Sequence, residues 1–587
     1  MSSDSSLHLV LAPVNEFVGN EEQLSLASWC RSHPSLTSAG VLPSPYLDLE
    51  DEIAAGKQAQ QLYRTMLPPL ADRLNALLSV AYELREWQVL AGPWLQMFIN
   101  SSLDRYLRLK LAWNSIPGLQ CAVLDERSCR PMGNTIDAAY ALSTDRYNLQ
   151  LMSELLRVMG KRLPEKSLPL PGKTPDVQPA PIKQRVLYLA SRVLVRTVAA
   201  ATDIVLLRDS YLPRRLEMKL ATNSRGRILP WISPFKPLTV SAPDAALRQG
   251  LDNMPGPDDE VGRLITRLLP QELPVCLLED FHRYRRAAEK EYPESVAALC
   301  SANAWHYDET FKHAAVGYLR KGAKLLAIQH GGNYGAQALM LAEDHETAIA
   351  DDFFSWGWTR EGTRAMVHPM PAGKLIGRHP QKADNAGQEL LWVTTSASRY
   401  LVQYPYLPEH FERYLKWQSR FLYALAPEWK TRLRLRPHYE DNGWQLVQRL
   451  KAQEPGLQLE DWERPFPQSL AQCRLYICDH LSTTFLEALS ARKPTLLFWD
   501  EKSNLLRPEA QPYYQRLRDA GILFHNPEAA AQAVQRAAHD VEAWWSKPER
   551  VAAVDSFCAR YARSEQDALT VWREELDRAC ARRRVAG

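Results

Sequence analysis

Leu325-Leu326-Ala327-Ile328-Gln329-His330-Gly331-Gly332-Asn333-Tyr334-Gly335 reads as a buried strand that breaks into a loop. Four apolar residues in a row suit a strand covered on both faces, as in a parallel sheet. Paired glycines after the histidine allow unusual backbone angles and close approach of a ligand. Open α/β sheets bind ligands at the C-terminal ends of their strands, where this loop begins. A tight turn with a surface or capping histidine is the plainer alternative. The acidic run that follows, Glu343-Asp344-His345-Glu346 and then Asp351-Asp352, favours an active-site reading.

Working outward, 587 residues are too many for one core and suggest three or four units, or two large lobes with insertions. The 71 basic residues nearly balance the 68 acidic ones, so nothing calls for nucleic acid. The densest basic block, Arg582-Arg583-Arg584, is read as a solvated tail, with an anionic membrane surface as the alternative contact. No basic segment precedes the first apolar run, which is not the pattern of a secretory signal. The longest apolar stretch, Val186–Leu207, is interrupted by Arg192, Arg196 and Asp203 and belongs to a buried or amphipathic helix. Nine cysteines without any Cys-x-x-Cys pair read as reduced, mostly buried thiols of a cytoplasmic protein, and no zinc site is expected.

The periodicity predicts a first strand over Leu7–Ala12, then a long helical region over Asp51–Asn114 broken near Pro68-Pro69. Trp87, Trp94 and Trp113 are expected in the core. Thr135–Lys161 reads as helix and the proline-rich Leu163–Pro181 as an irregular linker. Strands are expected at Ile204–Leu207, Ile228–Ile232 and Thr347–Asp351, and helices at Asp280–Tyr292 and Glu309–Leu319. Val367–Gly387, rich in proline and glycine, marks the domain boundary. Beyond it strands at Leu390–Thr394, Arg432–Arg436, Leu457–Glu460, Leu475–Cys478, Thr495–Trp499 and Ile522–Phe524 alternate with helices, the mark of βαβ units. The expected domains are therefore an N-terminal α/β lobe (1–366) with a helical insertion (about 51–161), a linker (367–388), a Rossmann-like lobe (389–526) and C-terminal helices (527–587).

Two motifs in the second half carry chemistry. Arg434-Leu435-Arg436-Pro437-His438 ends a strand whose alternating arginines share one face, suited to phosphate or carboxylate. A solvated edge face is the alternative. In Cys478-Asp479-His480-Leu481-Ser482-Thr483-Thr484-Phe485-Leu486-Glu487 a strand ends and three hydroxyls begin a helix. Those hydroxyls suit plain N-caps or a phosphate site at the helix start. Glu487, one turn in, is placed to accept from a ribose hydroxyl.

The order His-Gly, Arg-Pro-His, then Asp-x-x-Ser-Thr-Thr-x-x-Glu-Ala-Leu resembles GT-B transferases of bacterial surface polymers. These include teichoic-acid glycerophosphotransferases and capsule-type transferases with CMP- or CDP-activated donors. Over most of its length, and most specifically at Gln329–Gly335, the chain looks like a family of O-antigen (surface-polysaccharide) transferases. The resemblance implies an α/β fold of two Rossmann-like lobes facing a cleft, and transfer of a sugar from a CMP-activated donor to a surface glycan, lipid-linked glycan or protein acceptor. A nonulosonic acid or Kdo is the expected sugar. A CDP-polyol phosphotransferase and a non-catalytic assembly protein are the alternatives. No cofactor or metal is implied, in keeping with the lack of an Asp-x-Asp motif. The implied setting is cytoplasmic, with room for a peripheral contact with the inner membrane.

By that resemblance Arg436, His438, Ser482, Thr483, Thr484 and Glu487 contact the donor, and Arg399 suits a donor carboxylate. His438 is followed by Tyr439 where relatives often carry proline. His330 is the first choice for the acceptor's base, with Glu343, Asp344 or Glu346 next, and Gln329, Gly331, Gly332 and Asn333 shape the loop.

Overall fold

A computed structural model describes residues 7–19, 22–170, 181–232, 237–376 and 389–581. The chain opens with a small parallel sheet of β1 (His8–Val10), β2 (Gln23–Ser25) and β3 (Gly40–Val41). Two long helices follow, Leu49–Leu78 and Leu84–Ser115. The first runs through Pro68-Pro69 and ends instead at Ser79, whose φ of 52° closes it in the left-handed region. Its inward stripe of Leu62, Met66, Leu67, Leu70, Leu74 and Leu78 continues unbroken past the prolines. Burial of that stripe outweighs the two absent amide donors. Trp87 and Trp94 are buried as expected, while Trp113 is half-buried. The predicted helix over Thr135–Lys161 is two helices, Thr135–Ala141 and Asp145–Val158. Within the expected linker, β5 (Glu165–Lys166) pairs with β4 (Val123–Leu124), and residues 171–180 lie outside the described ones.

The first large sheet is built from β6 (Val205–Arg208), β7 (Ile228–Pro230), β8 (Ala298–Ser301), β9 (Lys324–Ile328), β10 (Asp352–Ser355) and β11 (Met366–Pro369). All pairings are parallel and the spatial order is β11-β10-β9-β8-β6-β7. Counted from β6, this is the doubly wound order 2-1-3-4-5 with one strand added. The predicted strand at Thr347–Asp351 is instead the end of a helix, Leu341–Ile349. Glu343, Glu346 and Thr347 are all buried there, the three- and four-residue spacing of one helical face. β11 shows that the first lobe reaches beyond Val367; the remaining part of the expected boundary, 377–388, lies outside the described residues.

The second large sheet follows the predicted alternation closely. β12 (Leu390–Val393), β13 (Leu433–Arg436), β14 (Gln458–Leu459), β15 (Leu475–Cys478), β16 (Thr495–Phe498) and β17 (Leu523–Phe524) form a parallel sheet ordered β14-β13-β12-β15-β16-β17. Counted from β12 this is 3-2-1-4-5-6, the Rossmann order, with its switch point between β12 and β15. The fold is thus α/β and GT-B-like, two Rossmann-type lobes across a cleft. Among the described residues no helix is long and apolar enough to cross a membrane.

Helices cover both faces of each sheet. One apolar cluster spans the lobes, joining Tyr334, Phe353, Trp356 and Trp358 of the first to Cys478, Phe485 and Phe557 of the second. The last helix, Ala568–Ala581, returns to the first lobe. There Trp572 lies buried against Phe354, and its indole N–H donates to the Pro371 carbonyl. Eight described cysteines are free thiols, and all but Cys129 are buried. Arg582–Arg584 lie outside the described residues.

Candidate functional site

β9 delivers Gln329 and His330 at its C-terminal end, as the apolar run required. Gln329 is buried and accepts from the Trp356 amide and the Trp358 indole, both at 2.8 Å. This fixes the strand end against β10. The loop then crosses to the other lobe. The Gly332 amide donates to Thr483 Oγ1 at 2.8 Å, and a Cβ on Gly332 would sit 2.6 Å from the Ser482 carbonyl carbon and oxygen. Only glycine permits that approach. Further along, Arg507 and Ala338 exchange backbone bonds with Ala336 and Leu505.

His330 is partly exposed. Its Nδ1 lies 3.0 Å from the Tyr334 hydroxyl and 3.4 Å from Glu346 Oε1. Tyr334 donates to the same carboxylate oxygen at 3.1 Å, and His306 Nε2 meets it at 2.7 Å. Glu346 is fully buried, with Oε2 unpartnered. Burial pushes its pKa up, but His330 and His306 together hold it below the ordinary carboxylate value. Burial and the Glu346 charge push the Tyr334 phenol well up, so it stays a donor. The Tyr211 ring, at the end of β6, lies 5.9 Å from the His330 ring. Behind them the His345 imidazole is held neutral by burial.

Glu343 has a different position. Arg360 Nη1 and Arg507 Nη1 sit 2.7 and 2.6 Å from its Oε1, and the Gly335 amide donates to Oε2 at 2.7 Å. A fully buried carboxylate so neutralised ties the loop, its own helix and the second lobe together. Asp344 is bound by Arg360 and Gln60.

In the second lobe several of the residues expected at the donor already have partners within the protein. Arg399 gives its guanidinium to Asp145 (2.9 and 3.0 Å), the Trp29 carbonyl, Ser32 and the Asn442 carbonyl. It fastens the lobe to the N-terminal region, and no N–H remains for a donor carboxylate. Arg436 donates to Ser469 and the Arg464 carbonyl and stacks on Trp462, 4.6 Å from the ring centre. Arg434 pairs with Glu460 and Glu389. The anions that meet this arginine face are thus the protein's own carboxylates. The His438 ring accepts from the Glu440 amide and lies against Tyr439.

At the helix start, Ser482 makes no capping bond to the helix amides; its Oγ pairs with Thr484 Oγ1 at 2.8 Å. Thr483 meets Gly332, and Glu487 is buried within the helix.

A cavity of about 490 Å³ opens at the switch point. It is lined by Thr395–Ser398 after β12, Asp479–Leu481 after β15, Trp499 and Asp500 after β16, and the aromatic rings of Tyr400, Tyr406, Phe411, Tyr414 and Trp417. From the first lobe Asn333 reaches it. The predicted donor residues Arg399, Arg436, His438, Ser482, Thr483, Thr484 and Glu487 do not line it. Asp479 anchors the floor, accepting from Trp392, Gln418 and Tyr414 at 2.8–3.0 Å, with His480 Nδ1 at 3.0 Å. Burial works against charge on His480, but Cys478 and Asp479 hold its pKa up at about 10. Gln418 Oε1, fully buried, has no partner. Among the described residues no group of three His, Cys, Asp or Glu side chains could hold a metal.

Sequence reasoning missed His306, Asp479, His480 and the aromatic lining as site residues. Asp479 and His480 stood inside the quoted motif. His306 follows β8, an Ala-Leu-Cys-Ser run with little strand character.

Residues 7–576 match the family described as LIC12162 family transferase. The chain belongs to the LIC12162 family of transferases. No curated protein matches it. Solved structures similar to this LIC12162-family member include S. aureus MnaA with UDP (12% identity, 63% of this chain and 94% of that one, TM-score 0.34). Acinetobacter baumannii MurG matches at 11% identity over 64% of this chain and all of that one, TM-score 0.33. A UDP-GlcNAc 2-epimerase from Neisseria meningitidis bound to UDP-GlcNAc matches at 13% over 64% and 100%, TM-score 0.35. The fold of the LIC12162-family chain rests on its own strand orders, and these likenesses add nothing about substrate.

Proposed function

We propose that this transferase is a glycosyltransferase that moves a sugar from a nucleotide-activated donor to a glycan, lipid-linked glycan or protein acceptor at the cell surface or on its way there. The observation that carries this reading is the meeting of two strand-end edges. On one side lies the cavity at the switch point; on the other, the His330–Glu346 pair with Tyr334. The aromatic walls suit a nucleobase and the hydroxyls of Thr395, Ser396 and Ser398 suit its ribose phosphate. Gln418 Oε1 offers an unpaired acceptor, which favours an amino-bearing base such as cytosine. A CMP-linked nonulosonate or Kdo is the donor we favour, with no metal in the chemistry, and the setting is cytoplasmic.

In this mechanism the acceptor hydroxyl oxygen bonds to the anomeric carbon as the bond to the donor phosphate breaks. Nδ1 of His330 is the nitrogen nearer Tyr334 (3.0 Å, against 3.4 Å for Nε2) and also meets Glu346, so Nε2 is assigned the hydroxyl proton and the buried carboxylate stabilises the imidazolium that results. The departing nucleotide phosphate stays with the hydroxyls of Thr395, Ser396 and Ser398 that line the cavity after β12.

Thermal shift with CMP, CDP, UDP and GDP tests the donor. Selective stabilisation by CMP is expected; CDP alone would favour polyol-phosphate transfer, and no shift with any of them would point to a non-catalytic assembly protein. His330→Ala should lower turnover about 10²–10⁴-fold while leaving nucleotide affinity nearly unchanged. Equal losses in both would make it a binding residue.

A further inference from the structure

The helix Ile182–Ala201 is unlike the rest of the surface. Ile182 (76%), Val186 (62%), Leu187 (50%), Leu189 (63%), Val193 (57%) and Leu194 (59%) are all exposed. Ile182, Val186, Leu189 and Val193 recur at helical spacing along one stripe, and Leu187 and Leu194 adjoin it. The opposite side holds the helix to the first lobe. Val195 is buried there and Arg192 donates to the Glu291 carbonyl, while Arg196, beside the stripe, reaches back to the Tyr292 carbonyl. The helix carries four cations, Lys183, Arg185, Arg192 and Arg196, and not one acidic residue in its 20 positions. Other exposed large apolar residues are scattered over separate elements.

We propose that this helix lies in the plane of an anionic lipid bilayer, its aliphatic stripe among the acyl chains and Lys183 and Arg185 at the headgroups. A wide apolar face flanked by basic residues and free of acids fits such a surface. A second copy of the chain fits it poorly, because a two-fold contact would bring two sets of like charges together. The membrane surface assigned here is thus a built amphipathic helix in the first lobe rather than the arginine tail. It lies in the lobe that holds His330, since the chain runs directly from it into β6 and Tyr211. The assignment does not depend on the identity of the donor.

Flotation of the full chain with vesicles tests it. Vesicles of phosphatidylethanolamine with roughly a quarter phosphatidylglycerol should carry the protein up and pure phosphatidylcholine should not, with binding weakening as salt rises. Lys183→Gln/Arg185→Gln should weaken partition roughly 30-fold, about fivefold per charge. Val186→Glu/Leu189→Glu should abolish it, with the melting temperature of both variants unchanged because every altered side chain is exposed. Failure to float with anionic vesicles, equal flotation with both kinds, or undiminished binding of either variant would overturn the proposal. So would a lower melting temperature in Val186→Glu/Leu189→Glu, or a dimer in light scattering that this variant splits, since either would mean that protein covers the face.

Discussion

Gly332→Ala is the sharpest test of how the two lobes are joined. The new methyl would lie 2.6 Å from the Ser482 carbonyl carbon and oxygen and 2.9 Å from the Thr483 amide nitrogen. These are backbone atoms at the start of a buried helix and cannot swing aside. Overpacking of this kind costs about 1–3 kcal/mol. The 2.8 Å bond from the Gly332 amide to Thr483 Oγ1 would be stretched as the loop backs away, at about 1 kcal/mol more. The sum is about 2–4 kcal/mol of lost lobe-to-lobe attachment. Gly331→Ala supplies the control, because its methyl would find only Thr483 Oγ1, at 3.6 Å. It should change stability by less than about 0.5 kcal/mol. Urea titration followed by tryptophan emission reads both. Equal midpoints for the two variants would refute the reasoning, since loop and helix would then not be in the contact described.

Three further expectations follow from charge placement. Glu343→Gln leaves Arg360 and Arg507 facing each other without their buried anion and should cost about 3–5 kcal/mol in thermal or urea unfolding; unchanged stability with lost turnover would make Glu343 a reacting group instead. Arg399→Ala should lower the melting temperature while leaving nucleotide affinity intact, and the reverse pattern in a titration would restore it to the donor site. His480, whose folded pKa of about 10 exceeds the ordinary 6.5, stabilises the fold fully below 6.5, and that contribution is lost as pH rises through 10. His480→Gln should therefore flatten the alkaline decline of the melting temperature over that window, and an unaltered decline would mean that the imidazole is not held charged.

The second lobe was legible because its strands are short, mostly apolar apart from the alternating arginines of β13, and separated by helices of ordinary length; Leu475–Cys478 matches residue for residue. β8 escaped because Ala298, Cys300 and Ser301 carry little strand preference, and the fully buried position between two neighbours decides the matter instead. Glu343 and Glu346 look alike in the sequence, three residues apart on one helix. Their environments separate them only through partners brought from afar, two arginines for one and two histidines for the other. Arg399 and Arg436 likewise carried the right chemistry for an anion, but the anions and carbonyls that occupy them come from distant parts of the chain. Local pattern reports residue type and spacing; which charge meets which is a tertiary outcome.

The helix Ala568–Ala581 packs on the first lobe, with Trp572 against Phe354. Its consequence is mechanical. The polypeptide returns from the second lobe to the first between Tyr561 and Ala568. That covalent return adds to the Gly332–Thr483, Glu343–Arg507 and Arg399–Asp145 contacts, so the lobes are clamped at several separate points. His330 and the cavity thus keep one relative placement, set by the whole chain rather than by the loop alone.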